Sequence, residues 1–456
     1  MTFIVTSEYV LDRLTPPNLP LAPTQYDAQY HEAFNNVLRL YFNRLDNLLA
    51  KLMASSTSIP VTFPGMETDP FGRLRVSTPL TLFDSQNRYQ KDNQFDESTA
   101  SGATVTFDTN TSTVNMNVTT TSGSKVVRQT YRVFPYQPGK GLLFMGTFVM
   151  AAAQTNLRQR VGYFNTENGV FFQQNGSTKS FVLRSNITGT PSDTRTVNQA
   201  DWNGDKLDGT GESGKTLDTS KAQILFIDFE WLGVGSVRCG FIIDGQFIIC
   251  HTFNNANEIT SVYMTTAILP VRYEIEATAA ISSSATLKQI CSTVISDGGY
   301  QEAAANQFAR RTALLGSIST TFLPLVSIRL ASDSLGAVVL AQAMQVFPTT
   351  NQNYEVVLLK NATLTGASYN TTTFAHVDFD VSATAVTGGT IVLHDYVSSS
   401  VQGRATSLTP AGYNFDLQLG VSLTGVSDVF TLAIRVISGA TTGDAIGAID
   451  FLDLTN

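Results

Sequence analysis

The sequence predicts a mostly β protein, two antiparallel β-sandwich domains behind an extended arm and one α-helix. Three observations carry this expectation. Charged residues are only 14% of the chain, against ~25% in ordinary soluble domains, and Thr, Ser, Asn and Gly fill the gap, which suits sheet surfaces and ordered loops. Short runs of β-branched and aromatic residues, bounded by Gly, Asn, Asp and Pro, recur through most of the length. Only one long stretch is free of Gly and Pro and carries apolar residues at helical spacing.

The elements follow in chain order. Residues 1–25 contain Pro16, Pro17, Pro20 and Pro23, which remove backbone donors and fix φ, so this segment reads as an extended arm. From Tyr26 to Ala54 the pattern becomes helical. Leu38, Phe42, Leu45, Leu49 and Leu52 step by 4, 3, 4 and 3, a heptad seam, and Tyr30, Phe34, Val37, Tyr41 and Leu48 form a stripe beside it. Two stripes are too wide an apolar face for a lone helix in water. It must dock on the protein's own sandwich, join sister helices or insert into a host assembly. Residues 1–60 are therefore assigned to an arm and anchoring helix.

Residues 61–297 read as the first sandwich, with strands expected at Thr104–Phe107, Lys125–Phe134, Leu142–Met150, Leu157–Phe164, Phe181–Arg184, Ile224–Trp231, Val237–Ile243, Gln246–Phe253 and Val271–Ile275. The clearest hairpin is VRCGFIIDGQFIICH, closed by Asp244-Gly245, a pair suited to a type I′ turn. Its simplest register sets Ile243 against Gln246, Phe241 against Ile248 and Cys239 against Cys250, with both faces apolar and buried. Residues 298–312 read as a linker with one short helix. Residues 313–456 read as a second sandwich, with strands at Ser317–Leu330, Val338–Phe347, Tyr354–Leu359, Phe374–Val381, Thr390–Val397, Tyr413–Leu419 and Val429–Ile437.

Composition also excludes function classes. The net charge is -8 with 29 Lys and Arg and no basic run, which argues against a phosphate-backbone partner. No apolar stretch is long enough to span a bilayer, and MTFIVTSEYVLDRL lacks the features of a signal peptide. Three cysteines are too few for a disulfide framework, which points to synthesis in a reducing cytoplasm.

Several motifs mimic chemistry. GTGESGKT, Gly209–Thr216, matches the phosphate-loop pattern, and Ile224–Glu230 ends an apolar run in acids. The match lacks the preceding core strand and following helix that make such a loop bind phosphate, so it reads as an exposed Gly-rich loop. Cys239 and Cys250 would face each other at a hydrogen-bonded site with Cα atoms ~5.5 Å apart, where a disulfide is strained, so two buried thiols are expected. His376, Asp378 and Asp380 share a strand face, with His394-Asp395 on another strand, and read as a hydrated outer surface. Asp228 and Glu230 resemble a glycosidase carboxylate pair, a spacing that polar strand faces often show by chance. No catalytic, cofactor-binding or metal-ligating residue is assigned. Trp202 and Tyr369, in Gly- and Asn-rich loops, are the candidates for surface recognition, although a loop Trp can equally fold back on its own sandwich.

Three segments resemble those of virion structural proteins of tailed bacteriophages, marine and cyanobacterial types in particular. Asp69–Asp92, DPFGRLRVSTPLTLFDSQNRYQKD, is similar to a stretch common in such proteins. Tyr26–Leu48 is similar to the N-terminal helix of their tail and neck proteins, and Trp231–Asn257 to their concanavalin-like sandwich. The resemblance implies a jelly-roll or concanavalin-like fold in a virion protein assembled in the host cytoplasm. It implies a homotrimeric fibre or neck/tail appendage, anchored by its N-terminus to portal, neck or tail proteins, with sandwiches that reach a host surface glycan or protein. A capsid or tail decoration protein and a glycan-binding or carbohydrate-active protein are the competing readings.

Overall fold

The computed structural model describes residues 19, 25, 27–56, 78–299, 305–371, 376–398, 406–408, 415–439 and 442–455. Two compact units divide the chain at residue 76.

In the first unit the expected helix forms over Ala28–Ser56. Asp27 opens it, its carboxylate accepting the Gln29 N–H at 2.8 Å, which satisfies one of the orphan donors of the first turn. None of the described helix side chains is buried. Tyr30, Phe34, Val37, Leu38, Tyr41 and Leu45 are half-buried, and Phe42 is 58% exposed. The side chains of Leu48, Leu49 and Leu52 and the arm prolines lie outside the described residues, as does 69–77 of the phage-like segment.

The second unit holds two sandwiches, each with its own core. In the first, one sheet runs in hydrogen-bonded order Gln246–Phe253, Val237–Ile243, Gln223–Phe229, Leu142–Val149, Ala285–Ser296, Thr113–Val118 and Thr104–Asp108, with Leu80–Gln86 also paired to Ala285–Ser296. The facing sheet runs Ser192–Asn198, Thr178–Ser185, Gly169–Asn175, Leu157–Phe164, Val271–Ala277, Lys125–Thr130 and Phe95–Ala100. All their pairings are antiparallel, and alternate residues such as Val161, Tyr163, Tyr273, Ile275, Leu225 and Ile227 meet in one core. Each of the nine strands expected there is present, within a few residues at its ends.

The Asp244-Gly245 turn has both residues at positive φ, 53° and 77°, the geometry expected of a type I′ hairpin. Two details differ from the sequence reading. The ladder slips between Cys239 and Gly240, so Cys239 pairs with His251 rather than Cys250, an irregularity that periodicity alone does not reveal. Both cysteines are free and buried in the core. The hairpin is also not covered on both faces. Gln246–Phe253 is an edge strand, and Phe247 is 55% exposed on its outer side.

The second sandwich pairs Ala305–Arg310, Gly443–Asp453, Val339–Pro348 and Thr406–Leu408 in one sheet. The other runs Asn370–Thr371, Val377–Asp380, Leu323–Leu330, Val429–Val436, Asn353–Lys360 and Thr390–Ser398. Leu325, Ile328, Val356, Leu432, Ile449 and Phe451 pack between them. Three expectations are corrected. Ala305–Arg310, read as linker and helix, is a strand hydrogen-bonded along Gly443–Asp453. Tyr413–Leu419 contains a 3-10 turn at Phe415–Leu417 rather than a strand. Gly443–Asp453, among the longest strands of the chain, escaped notice because GDAIGAIDFLD is rich in Gly and Ala, residues of low strand propensity.

The sandwiches touch directly. Val338, Leu340, Leu452 and Leu454 pack on Val133 and Ile268, the Gln418 amide donates to the Val133 carbonyl at 2.8 Å, and the Leu423 N–H donates to Asp96 at 2.7 Å.

Candidate functional site

A cluster of buried and half-buried charges lies on the outward face of the seven-stranded sheet, where strand alternation builds it. Along Val271–Ala277, Val271, Tyr273 and Ile275 point to the core, so Arg272, Glu274 and Glu276 point out. On the neighbouring strand Arg158, Arg160 and Gly162 point out. The register sets Glu276 opposite Arg158, Glu274 opposite Arg160 and Arg272 opposite Gly162, a cross-strand ladder of opposite charges.

Glu274 is the hub. It is 2% exposed and accepts Arg272 Nη2 at 2.7 Å. Its Oε1 faces Lys125 Nζ at 3.3 Å and Arg160 Nη1 at 3.5 Å without a hydrogen bond to either. Burial pushes its pKa up, but Arg272, Lys125 and Arg160 together outweigh that and hold it at about 2. Arg160 is driven the other way. Burial lowers it to about 10, with Glu274 opposing and the neighbouring Arg158 and Arg184 reinforcing the fall.

Aromatic rings fix the guanidinium planes. Phe164 and Phe171 lie 4.4 Å apart with their rings tilted by 35°. Arg160 and Arg184 each lie 5.2 Å over the Phe171 ring, and Arg272 lies 5.5 Å over Phe164. Gly162 makes the arrangement possible, because a Cβ there would fall 2.6 Å from Phe171 Cα. Arg160 also donates to Gln173 at 2.8 Å, and Arg184 grips Asp193 through two bonds of 2.7 and 2.8 Å. A pocket of about 270 Å³ opens over this floor, lined by Lys125, Arg160, Arg184, Arg272, Asp193, Glu274, Thr166 and Pro191.

The residues singled out from sequence are dispersed. Trp202 is not a surface recognition residue. It is 2% exposed, its ring 4.7 Å from Phe181 and its Nε1–H bonded to the Val197 carbonyl at 3.2 Å. The loop is polar, but the 3-10 turn Gln199–Asp201 returns the indole to the core. Tyr369 is half-buried with Arg329 3.9 Å over its ring. Burial raises its hydroxyl to about 12 against the opposing pull of Arg329.

Gly209–Thr216 is a closed loop, with an Asp208–Thr216 bridge and the Gly209 N–H on the Lys215 carbonyl at 3.0 Å. Lys215 Nζ sits 2.6 Å from Asp244, and no helix begins there. Asp228 pairs with Arg238 while Glu230 is exposed. The His376 face is not the hydrated surface expected. Asp378 and Asp380 are buried, Asp380 because it accepts the N–H groups of Ser368, Ser382 and Ala383 at 2.8–3.1 Å and so anchors their loop. His376 Nδ1 lies 2.7 Å from Asp453, and His394 Nε2 lies 3.1 Å from Glu355. Among the described residues no group of three or more His, Cys, Asp or Glu is placed to hold a metal.

The thiols separate by environment. Burial, then the charge of Asp205, pushes Cys250 up to about 12, and burial holds Cys239 well above its ordinary value, whereas Cys291 is exposed. An aromatic disulfide reagent at pH 8 is expected to titrate one thiol per native chain and three in denaturant. Three fast thiols in the native protein would contradict this packing.

The arginine ladder was missed from sequence, although its signal was present. The runs LRQRVGYF and VRYEIEA alternate charge with apolar residues on adjacent strands, and only the pairing showed that the charges are opposite and meet.

No family model matches this chain, and no curated protein matches it. Solved structures do. The carbohydrate recognition domain of Emp47p aligns at 11% identity over 48% of this chain and 95% of that one, with a TM-score of 0.29. The β-glucanase of Bacillus licheniformis aligns at 10% over 46% and 96%, TM-score 0.30. A β-1,3-glucanase from Mycobacterium marinum aligns at 11% over 47% and 98%, TM-score 0.32. Each alignment spans about half of this chain and nearly all of the other, and the mostly β, antiparallel sandwich architecture is what the chain's own strand order shows.

Proposed function

We propose that this chain is a non-enzymatic structural protein of a tailed-phage particle, a fibre or neck/tail appendage that assembles with copies of itself through its N-terminal helix. The observation that carries the reading is the helix. It has heptad-spaced apolar residues, and none of its described side chains is buried. A face of this width costs free energy in water, and the 4-3 spacing of Leu38, Phe42 and Leu45 suits sister helices packed knobs-into-holes. Homotrimer formation, docking on portal, neck or tail proteins, and the virion location follow the resemblance of Tyr26–Leu48 and Asp69–Asp92 to phage particle proteins.

The test is the mass of the full-length protein by light scattering at 10–50 μM, concentrations chosen on the order of ordinary micromolar association. A trimer is expected, and Phe42→Asp with Leu45→Asp is expected to return it to monomers without changing sandwich unfolding. A wild-type monomer across that range overturns the reading.

A second reading is favoured by the pocket over Glu274, namely that the first sandwich binds a saccharide. Glycan-array binding that survives dissociation of the oligomer supports it, and hydrolysis of a bound glycan would move it to the carbohydrate-active class.

A further inference from the structure

We infer that the pocket on the outward face of the seven-stranded sheet is a binding site for a compact oxyanion, the carboxylate of an acidic sugar or a sulfate group. This gives the saccharide-binding reading a ligand class and rests on it, while remaining independent of how copies assemble.

Charge points first to an anion. The chain as a whole carries -8, yet the pocket gathers Lys125, Arg160, Arg184 and Arg272 against only Asp193 and Glu274. A network built only to stabilise the sheet gains most when its charges balance, because each unmatched buried cation carries a desolvation cost. Here two positive charges are left over among the lining residues.

Geometry points the same way. Cation–π contact with Phe164 and Phe171 helps hold three guanidinium groups, so an incoming anion meets donors that lose little freedom on binding. Glu274 neutralises the floor without saturating it. Its Oε1 makes no hydrogen bond, so Lys125 and Arg160 oppose it at 3.3 and 3.5 Å with donors uncommitted to that oxygen. At about 270 Å³ the space falls just below the ~300–1,000 Å³ of typical ligand pockets, which suits one charged group or one ring rather than an extended chain. Lys125, 33% exposed, and Asp193 form the accessible rim.

The experiment is titration calorimetry of the full-length protein with four probes: a uronic acid oligosaccharide, a sulfated oligosaccharide, inorganic sulfate and a neutral glucan. Binding of one or more of the three anions is expected, weakened at least about tenfold by Lys125→Gln or Arg184→Gln and by raising the salt. The arm that binds identifies the source of the oxyanion, and inorganic sulfate alone indicates a free ion. Lys125→Gln is the variant least able to disturb folding, since its side chain lies at the rim, and unchanged thermal unfolding checks this. Neutral glucan bound without any anion overturns the oxyanion site while leaving the saccharide reading standing. Anion affinity indifferent to both substitutions, or no binding of any probe, overturns the site as well.

Discussion

Replacing Trp202 with Ala is expected to destabilise the first sandwich by about 3–5 kcal/mol, the range for removing a large aromatic from a packed core. The indole is 2% exposed, lies 4.7 Å from the Phe181 ring and bonds through Nε1 to Val197 at 3.2 Å. Phe181 continues into the cluster of Phe172 and Phe241, so the cavity would open among rings that cannot collapse freely. Trp202→Phe keeps most of the buried area but loses the hydrogen bond, and should cost less than half as much. Chemical denaturation of the three proteins at pH 7 measures both effects. If Trp202→Ala unfolds at the wild-type midpoint, the indole is a surface group and the core assignment fails.

The second large effect concerns Glu274. Its pKa is held at about 2 in the folded chain against an ordinary 4.5. The folded value is depressed, so the stabilisation is fully present above about pH 4.5 and is lost as the pH falls from there toward 2. A depression of this size is worth about 3 kcal/mol. Glu274→Gln should cost about 3–5 kcal/mol at neutral pH, because Arg272 and Arg160 stay buried without their counter-charge. It should also remove this acid-dependent contribution, so the gap between the two proteins narrows between pH 5 and 2.5, a window set by those two pKa values. Parallel loss of stability in wild type and variant over that range would show that Glu274 titrates normally.

The two predictions meet the sequence in opposite ways. Trp202 was conspicuous from sequence as an aromatic in a polar loop, yet the loop folds it inward. Glu274 drew no notice because it occupies an ordinary alternating strand, yet it organises three basic residues, Arg272, Lys125 and Arg160. A one-dimensional pattern reports which side chains share a face and leaves open which strand lies alongside. The same limit explains the slip at Cys239, where one irregular step moves the partner from Cys250 to His251, and the burial of Asp380, whose carboxylate holds the N–H groups of a neighbouring loop on a face that alternation marks as polar.

What the sequence determined alone was the local chemistry: the helix over Ala28–Ser56, the positive-φ turn at Asp244-Gly245, the period-2 strands, and the failure of Gly209–Thr216 to be a phosphate loop. Each depends on residues within a few positions of one another, where backbone sterics and side-chain spacing decide the outcome. The tertiary structure alone decided strand order, the Gly- and Ala-rich strand at Gly443–Asp453, and the meeting of Arg160, Arg184, Arg272 and Glu274 around one pocket. Those features depend on pairings such as Arg160 with Glu274 and Val339–Pro348 with Gly443–Asp453, about a hundred positions apart, and burial and charge pairing at that range exist only after the sheets have closed.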